Sequence, residues 1–182
     1  MDLHTSRLDL LLISQAELFA LEDAPTDERV FDQRTFENPF GILTRERIPH
    51  ANRIADVRAN PENLKWYYRL IVLRDSNELI GSISFHGPPD DNGMIEVGLG
   101  IAKERQGQGY ASEALRGLWT WASERDDVSV LRYTVSPDNA PSQAMISHYP
   151  CEYLGQQIDD EDGPEDIFEI TTERLREVLS QT

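Results

Sequence analysis

Apolar and polar positions alternate with two different periods along this chain. Short apolar runs rich in branched side chains stand at Leu8–Ile13, Tyr67–Leu73, Leu79–Phe85, Met94–Ile101 and Val130–Val135. Each is too short for a helix and is bounded by polar or turn residues, so each predicts a strand. Asp75-Ser76-Asn77 predicts a turn that pairs the second and third runs, and Pro88–Gly93 reads as a polar loop. From Ala111 to Arg125 the period changes. Ala111, Ala114, Leu115, Leu118, Trp119 and Ala122 recur at helical spacing and share one face of an amphipathic helix. Ser14 followed by Glu17 has the form of a capping box, which predicts a helix over Gln15–Glu22 that Pro25 ends. Ile54 and Val57 suit a further helix that stops before Pro61. Beyond the long helix, the patterns predict a short helix at Asn139–Tyr149, a hairpin of Tyr153–Ile158 with Asp166–Ile170, and a closing helix at Thr172–Leu179. The stretch from Asp27 to Pro49 scatters Phe31, Phe36, Phe40 and Ile42 among charges and predicts helical fragments and loops. With no repeat, low-complexity tract or linker, residues 1–182 read as one α/β domain.

Charge narrows the partners. The net charge is −16 over 182 residues, so a nucleic acid is not expected to bind, and cationic partners such as amines are favoured. Solubility or a salt-adapted host explains the charge equally well, and the rarity of lysine (Lys65 and Lys103 against fifteen arginines) fits that account. The acidic run Asp159-Asp160-Glu161-Asp162 lacks the spacing of an EF-hand and reads as a solvated turn, so no metal is expected. The longest apolar run, Leu10-Leu11-Leu12-Ile13, falls far short of the roughly 20 residues needed to cross a bilayer. No signal peptide is read at the N-terminus, and a single cysteine, Cys151, allows no internal disulfide; a cytoplasmic location and no membrane partner are the expectations. A homodimer is the prior expectation for oligomeric state.

The chemistry concentrates at Gln106-Gly107-Gln108-Gly109-Tyr110-Ala111, between the Met94–Ile101 strand and the amphipathic helix. Two glycines permit a tight turn and close approach of a ligand. The helix start offers N–H groups without internal partners and a partial positive charge, which suits a phosphate. A plain strand-to-helix connection is the alternative. The P-loop pattern fails because Tyr110 and Ala111 follow Gly109, and the dinucleotide pattern fails because Ser112 stands where its third glycine or alanine belongs.

The pattern Q/R-x-x-G-x-G/A is filled by Gln106, Gly109 and Ala111. It resembles the acyl-coenzyme A loop of the GNAT superfamily of N-acetyltransferases. Thr5-Ser6-Arg7-Leu8, Leu79-Ile80-Gly81-Ser82-Ile83, Gly109-Tyr110-Ala111-Ser112-Glu113-Ala114, Trp121-Ala122 and Asn139-Ala140-Pro141-Ser142 are similar, in order, to signatures of its ribosomal-protein acetyltransferase-like (RimJ/RimL-type) branch. The resemblance implies a central, twisted, mostly antiparallel sheet flanked by helices on both faces. It also implies acetyl transfer from acetyl-CoA, as co-substrate, to a primary amine by direct attack in a ternary complex. The diphosphate falls to the backbone of Gln106, Gly107, Gln108, Gly109, Tyr110 and Ala111, with Arg105 as an added cation or simply an exposed loop arginine. Val97 to Ile101 would pair with the pantetheine arm, with an N–H near Leu99 holding the thioester oxygen. Gly98 and Gly100 suit a strand that a ligand approaches. Asn139 would bond the same arm.

For catalysis, Glu96 is the candidate base; the alternative places it in solvent or against an arginine. Glu113 reads as a helix-start or structural carboxylate. Many relatives use a tyrosine seven residues after the Asn to protonate the thiolate, but here that position is Ile146. Ser142 and Tyr149 are the candidate acids instead. The family's Leu-Gly-Phe at the helix end is Tyr149-Pro150-Cys151 here, and proline cannot take glycine's left-handed turn. That departure motivates a second reading, an acyl-CoA-binding regulatory module without transfer. Cys151 reads as a small buried filler rather than a nucleophile.

Overall fold

A computed structural model describes residues 1–44, 51–159 and 163–180. The proposed acidic turn at 160–162 and the end of the mixed stretch at Pro49 lie outside them. The fold is α/β, with eight strands and five α-helices among the described residues. The strands are β1 (Leu3–His4), β2 (Leu8–Leu12), β3 (Arg69–Leu73), β4 (Leu79–Phe85), β5 (Met94–Ile101), β6 (Val130–Val135), β7 (Glu152–Asp159) and β8 (Gly163–Thr171). The helices are α1 (Gln15–Asp23), α2 (Ala51–Ala59), α3 (Tyr110–Ser123), α4 (Ala140–Ile146) and α5 (Thr172–Ser180). Internal contacts group residues 1–87 with 99–117, and residues 88–98 with 118–182.

In the first group the strands run in the order β1-β2-β3-β4. They form an antiparallel meander, with Leu10 opposite Ile71 and Ile71 opposite Gly81. The end of β5 belongs here too, fastened by the Ala102 N–H donating to the Ile80 carbonyl at 2.7 Å. A Cβ on Gly81 would stand 2.2 Å from the Gly100 carbonyl oxygen, so only glycine allows β4 and the end of β5 this approach. The core gathers Ile13, Leu18, Leu21, Ile54, Val57, Leu70 and Leu79. Phe31 and Leu43, from the stretch without a readable period, join the same cluster, as do Tyr67 and Tyr68. Tyr67 and Tyr68 precede β3 instead of starting it, because Pro61–Trp66 form a 3₁₀ turn that ends on Tyr67.

The capping box forms as expected. Ser14 Oγ accepts from the Glu17 N–H at 3.2 Å and Glu17 Oε2 accepts from the Ser14 N–H at 2.7 Å. The Glu17 carboxylate is nearly buried and also receives Arg34, whose Nε and Nη2 each donate at 2.6 Å. Burial works to raise the Glu17 pKa, but the Arg34 and Ser14 hydrogen bonds outweigh it and hold the pKa below the ordinary glutamate value.

In the second group β5 pairs in parallel with β6 over Met94–Val97, and the order continues β6-β8-β7, antiparallel. The other pairings described between these strands are antiparallel, and one isolated bridge outside them, Glu37 with Glu78, is parallel. The β7–β8 hairpin is longer than its apolar letters suggested. Helix α4 is shorter than the expected Asn139–Tyr149: it ends at Ile146, and residues 147–149 continue as turns.

Because the folded pKa of Glu17 is depressed, its contribution is complete above the ordinary glutamate value and is lost as pH falls through the folded one. Replacing Glu17 by Gln should therefore cost about 2 kcal/mol near neutrality. In urea unfolding, the gap between variant and wild type should close as pH is lowered from 7 toward 3. A gap that stays constant would disprove this role.

Candidate functional site

The loop between β5 and α3 takes the shape that its two glycines allow. After β5, Lys103–Arg105 form a 3₁₀ turn and Gln106 is extended. Gly107 and Gly109 then adopt φ of 73° and 80°, the left-handed region that side chains other than glycine disfavour. Gln106 folds its side chain back, and Nε2 donates to the Ile101 carbonyl at 2.9 Å. The intrahelical ladder of α3 opens with the Glu113 N–H donating to the Gly109 carbonyl at 3.1 Å. The N–H groups of Tyr110, Ala111 and Ser112 precede that ladder and have no intrahelical acceptor. A Cβ on Gly107 or Gly100 would meet nothing within 4 Å, so the backbone is open to close approach at both.

Behind this helix start, the opening segment of the chain meets the signature carboxylate. Glu113 Oε1 accepts from the Thr5 hydroxyl and from the Arg7 backbone N–H, both at 2.7 Å. Glu113 Oε2 accepts from Arg7 Nε at 2.6 Å. Burial pushes the Glu113 pKa up, but these hydrogen bonds and the nearby guanidinium together bring it below the ordinary value. Glu113 is thus structural, as its position implied.

Arg105 is half-buried and paired: Nη2 donates to Glu78 Oε2 at 2.6 Å, and the guanidinium lies 5.8 Å from the Phe40 ring centre.

Of the remaining candidates, Leu99 and Ile101 belong to the first group of residues and the others to the second. In β5, Ile95 and Val97 are buried, while Glu96 and Gly98 alternate onto the other face and are half-buried. Glu96 Oε1 accepts from the Thr134 hydroxyl at 2.7 Å. Arg132 stands opposite Glu96 in the β5–β6 register, but its guanidinium pairs with Glu169 at 2.6 Å. Asn139 caps α4, its side-chain oxygen accepting from the Ser142 N–H at 3.2 Å. Burial raises the Tyr133 pKa, and the nearby Ser142 side chain works in the opposite direction. The Tyr149 ring meets Trp119 edge-on at 5.1 Å and is half-buried.

The helix exit explains the missing glycine. Ser147 keeps right-handed angles, and the His148 and Tyr149 N–H groups donate to the Met145 and Ile146 carbonyls in successive tight turns. No left-handed residue is used at 147–151, so Pro150 meets no conflict. Cys151 is half-buried and its thiol is pushed up to about 12 by burial, which keeps it from acting as a thiolate.

Sequence reasoning had no means of finding Thr134 or Tyr133, or the contact between Arg7 and Glu113. Each depends on strand register or on a pairing across the chain; the only local hint was that Arg7 and Glu113 both fell within recognised motifs.

Comparison with known proteins agrees with this geometry. Residues 17–149 match the family model described as "Acetyltransferase (GNAT) domain". The chain is 36% identical over 91 residues to the uncharacterized N-acetyltransferase YjdG of Bacillus subtilis (strain 168), covering 46% of this chain and 54% of that protein. The chain spans about half the length of the first curated relatives it matches, 54% of this one and 43% of the next. Among solved structures, RimL, a ribosomal L7/L12 alpha-N-protein acetyltransferase in complex with coenzyme A, aligns with a TM-score of 0.63 at 17% identity, over 94% of this chain and 98% of that one. The ribosomal-protein-S5-alanine acetyltransferase of Vibrio fischeri aligns with a TM-score of 0.65 at 12% identity, over 94% and 97%. These two likenesses concern the fold.

The open space around Gly107 separates backbone strain from crowding. Gly107→Ala should cost about 1 kcal/mol, the lower end of the left-handed penalty, with no steric term. Urea unfolding that shows no loss would mean that the loop relaxes out of the left-handed conformation.

Proposed function

This chain belongs to the acetyltransferase (GNAT) domain family, and on that premise we propose that it transfers an acetyl group from acetyl-CoA to a primary amine in a ternary complex. The observation that carries this reading is the helix start, where two left-handed glycines precede N–H groups that no helical carbonyl accepts. Anions bind such starts through aligned dipoles, and the diphosphate of a nucleotide-tailed carrier is an anion of suitable size. The backbone of Gln106 to Ala111 takes that diphosphate. The β5–β6 ladder runs over Met94–Val97, and the backbone that follows, toward Ile101, serves the pantetheine arm; the Leu99 N–H then stabilises the thioester oxygen as it becomes an oxyanion. The open space at Gly100 supports close approach there.

The reaction needs a neutral amine. Glu96, held by Thr134, takes the ammonium proton through a water, and the nitrogen lone pair attacks the thioester carbon. The new C–N bond forms, the C–S bond breaks, the attacking nitrogen gives up its second proton to water, and the thiolate takes a proton. Ser142 and Tyr149 are the candidate donors, and the Ser142 side chain lies close enough to the Tyr133 phenol to influence it. Tyr149 is engaged edge-on with Trp119. Asn139 spends its side-chain oxygen on the α4 cap, which leaves its amide N–H groups for the coenzyme arm. An α-amine titrates near 8 and a lysine near 10.4, so a protein N-terminus or a small amine of low pKa is the easier acceptor. A chain of charge −16 attracts such cations. Because α4 ends in ordinary right-handed turns, Tyr149-Pro150-Cys151 lends no structural support to a transfer-incompetent regulator. Cytoplasmic location and a homodimer complete the proposal.

Calorimetry with acetyl-CoA and a thiol-release assay over a panel of amines and N-terminal peptides test it together. Binding with acceptor-dependent thiol release is expected, and Gly109→Val should abolish the binding. Coenzyme binding without release across the whole panel would favour the regulator. Glu96→Gln should slow turnover about 100-fold, within the range for general bases, with the loss deepest at low pH. An unchanged pH–rate profile would remove Glu96 from the base role.

A further inference from the structure

We propose that Arg7 is a positioning residue for the coenzyme loop: it braces the loop from behind through the Gln108 carbonyl and the Glu113 carboxylate. This rests on the reading that Gln106 to Ala111 binds the diphosphate. Arg7 makes three separate contacts with the loop and helix start. Nε donates to Glu113 Oε2 at 2.6 Å, Nη1 donates to the Gln108 carbonyl at 3.0 Å, and the guanidinium carbon lies 4.6 Å from the centre of the Tyr110 ring. A Cβ on Gly109 would stand 3.4 Å from Nη2, so the arginine also fills the space directly beneath the second glycine.

The peptide plane turns these contacts into a directional effect. A peptide unit is planar and trans, so its C=O and N–H point in opposite directions. Holding the Gln108 carbonyl on Arg7 turns the Gly109 N–H to the side away from Arg7. Glycine at φ 80° has little intrinsic preference for that orientation, and an unbraced loop would sample others. The same brace anchors the first turn of α3 through Glu113, which Thr5 also grips. Arg7 therefore lowers the ordering cost of presenting successive N–H groups to one anion, a form of preorganisation. Its charge is matched by Glu113, so the effect depends on geometry more than on net charge. Lysine cannot substitute: one ammonium cannot reach Glu113 and the Gln108 carbonyl while a planar face stays on Tyr110.

Arg7→Lys is the informative variant, because it keeps the charge. Three measurements compare it with wild type: amide hydrogen exchange over residues 109–115 without ligand, calorimetry with coenzyme A, and steady-state kinetics with acetyl-CoA against S-acetylpantetheine, which lacks the diphosphate. Arg7→Lys should speed exchange in the first turn of α3. It should weaken coenzyme A binding and raise KM for acetyl-CoA about tenfold, the loss of one charge-assisted hydrogen bond. The kcat and the KM for S-acetylpantetheine should stay unchanged. Equal losses with both donors would show a general structural defect and overturn the proposal, as would wild-type exchange and wild-type coenzyme A affinity. If Arg7→Lys fails to fold, Thr5→Val, which removes one of the Glu113 donors, undergoes the same comparison with the same expected pattern. A wild-type chain that does not bind coenzyme A would sink the phosphate-loop reading, whereas the exchange measurement still judges the brace.

Discussion

The whole arrangement depends on keeping the first turn of α3 short of acceptors. A helix start with free N–H groups is costly to leave alone, since nearby carbonyls or side chains tend to collapse onto it. This chain holds it open by tying down everything around it. The Gln106 side chain returns to the Ile101 carbonyl, the Ala102 N–H grips Ile80, and the Gln108 carbonyl is drawn onto Arg7. Two neighbouring arginines are themselves occupied, Arg7 by Glu113 and Arg105 by Glu78. On the proposed reading, attraction for an anion, in a chain of net charge −16, draws on oriented backbone dipoles. Dipoles fixed in place attract at short range and at one point, so on the proposed reading the loop would select a phosphate without reversing the acidic character of the surface.

The same logic explains why the basic residues are nearly all arginine. Arg34 with Glu17, Arg7 with Glu113, Arg105 with Glu78 and Arg132 with Glu169 are all pairs that join segments distant in sequence. In the first two, the guanidinium reaches a backbone carbonyl as well: Arg34 Nη2 the Leu12 carbonyl, Arg7 Nη1 that of Gln108. A guanidinium with several donors in one plane makes two such bonds at once, which a lysine ammonium does less specifically. The arginine bias noted in the composition is thus in part structural, over and above any adaptation of the surface.

What was legible follows from how local each signal is. The extent of β5, the capping box of α1 and the apolar face of α3 came directly from spacing, because their hydrogen bonds and packing are set within a few residues. Tyr67 and Tyr68 looked like strand, yet they sit in the core ahead of β3, where a tertiary contact overrode a β-favouring composition. Phe31 and Leu43 had no period to betray them, and only the assembled cluster shows that they are core. The site was readable to the same degree. The two left-handed glycines were visible as letters, whereas the Thr134 bond to Glu96 requires knowing which residues of β5 and β6 share a face.

The replaced glycine after α4 shows how a motif can change without loss of the structure around it. A left-handed glycine is one way to stop a helix; a run of tight right-handed turns is another, and it asks nothing of φ that proline cannot give. Here Ser147 through Tyr149 take that second route, and the strand β7 still begins at Glu152. The route also places Tyr149 edge-on against the buried Trp119, so the residue that replaces the family's leucine gains an aromatic contact of its own. Read by letters, Tyr149-Pro150-Cys151 signals damage; read by dihedral angles, it is an alternative exit that leaves Ser142, on the same helix, with its N–H bonded to the Asn139 cap. A departure from a family pattern therefore counts against function only where the lost residue's conformation is still required, and at this helix end it is not.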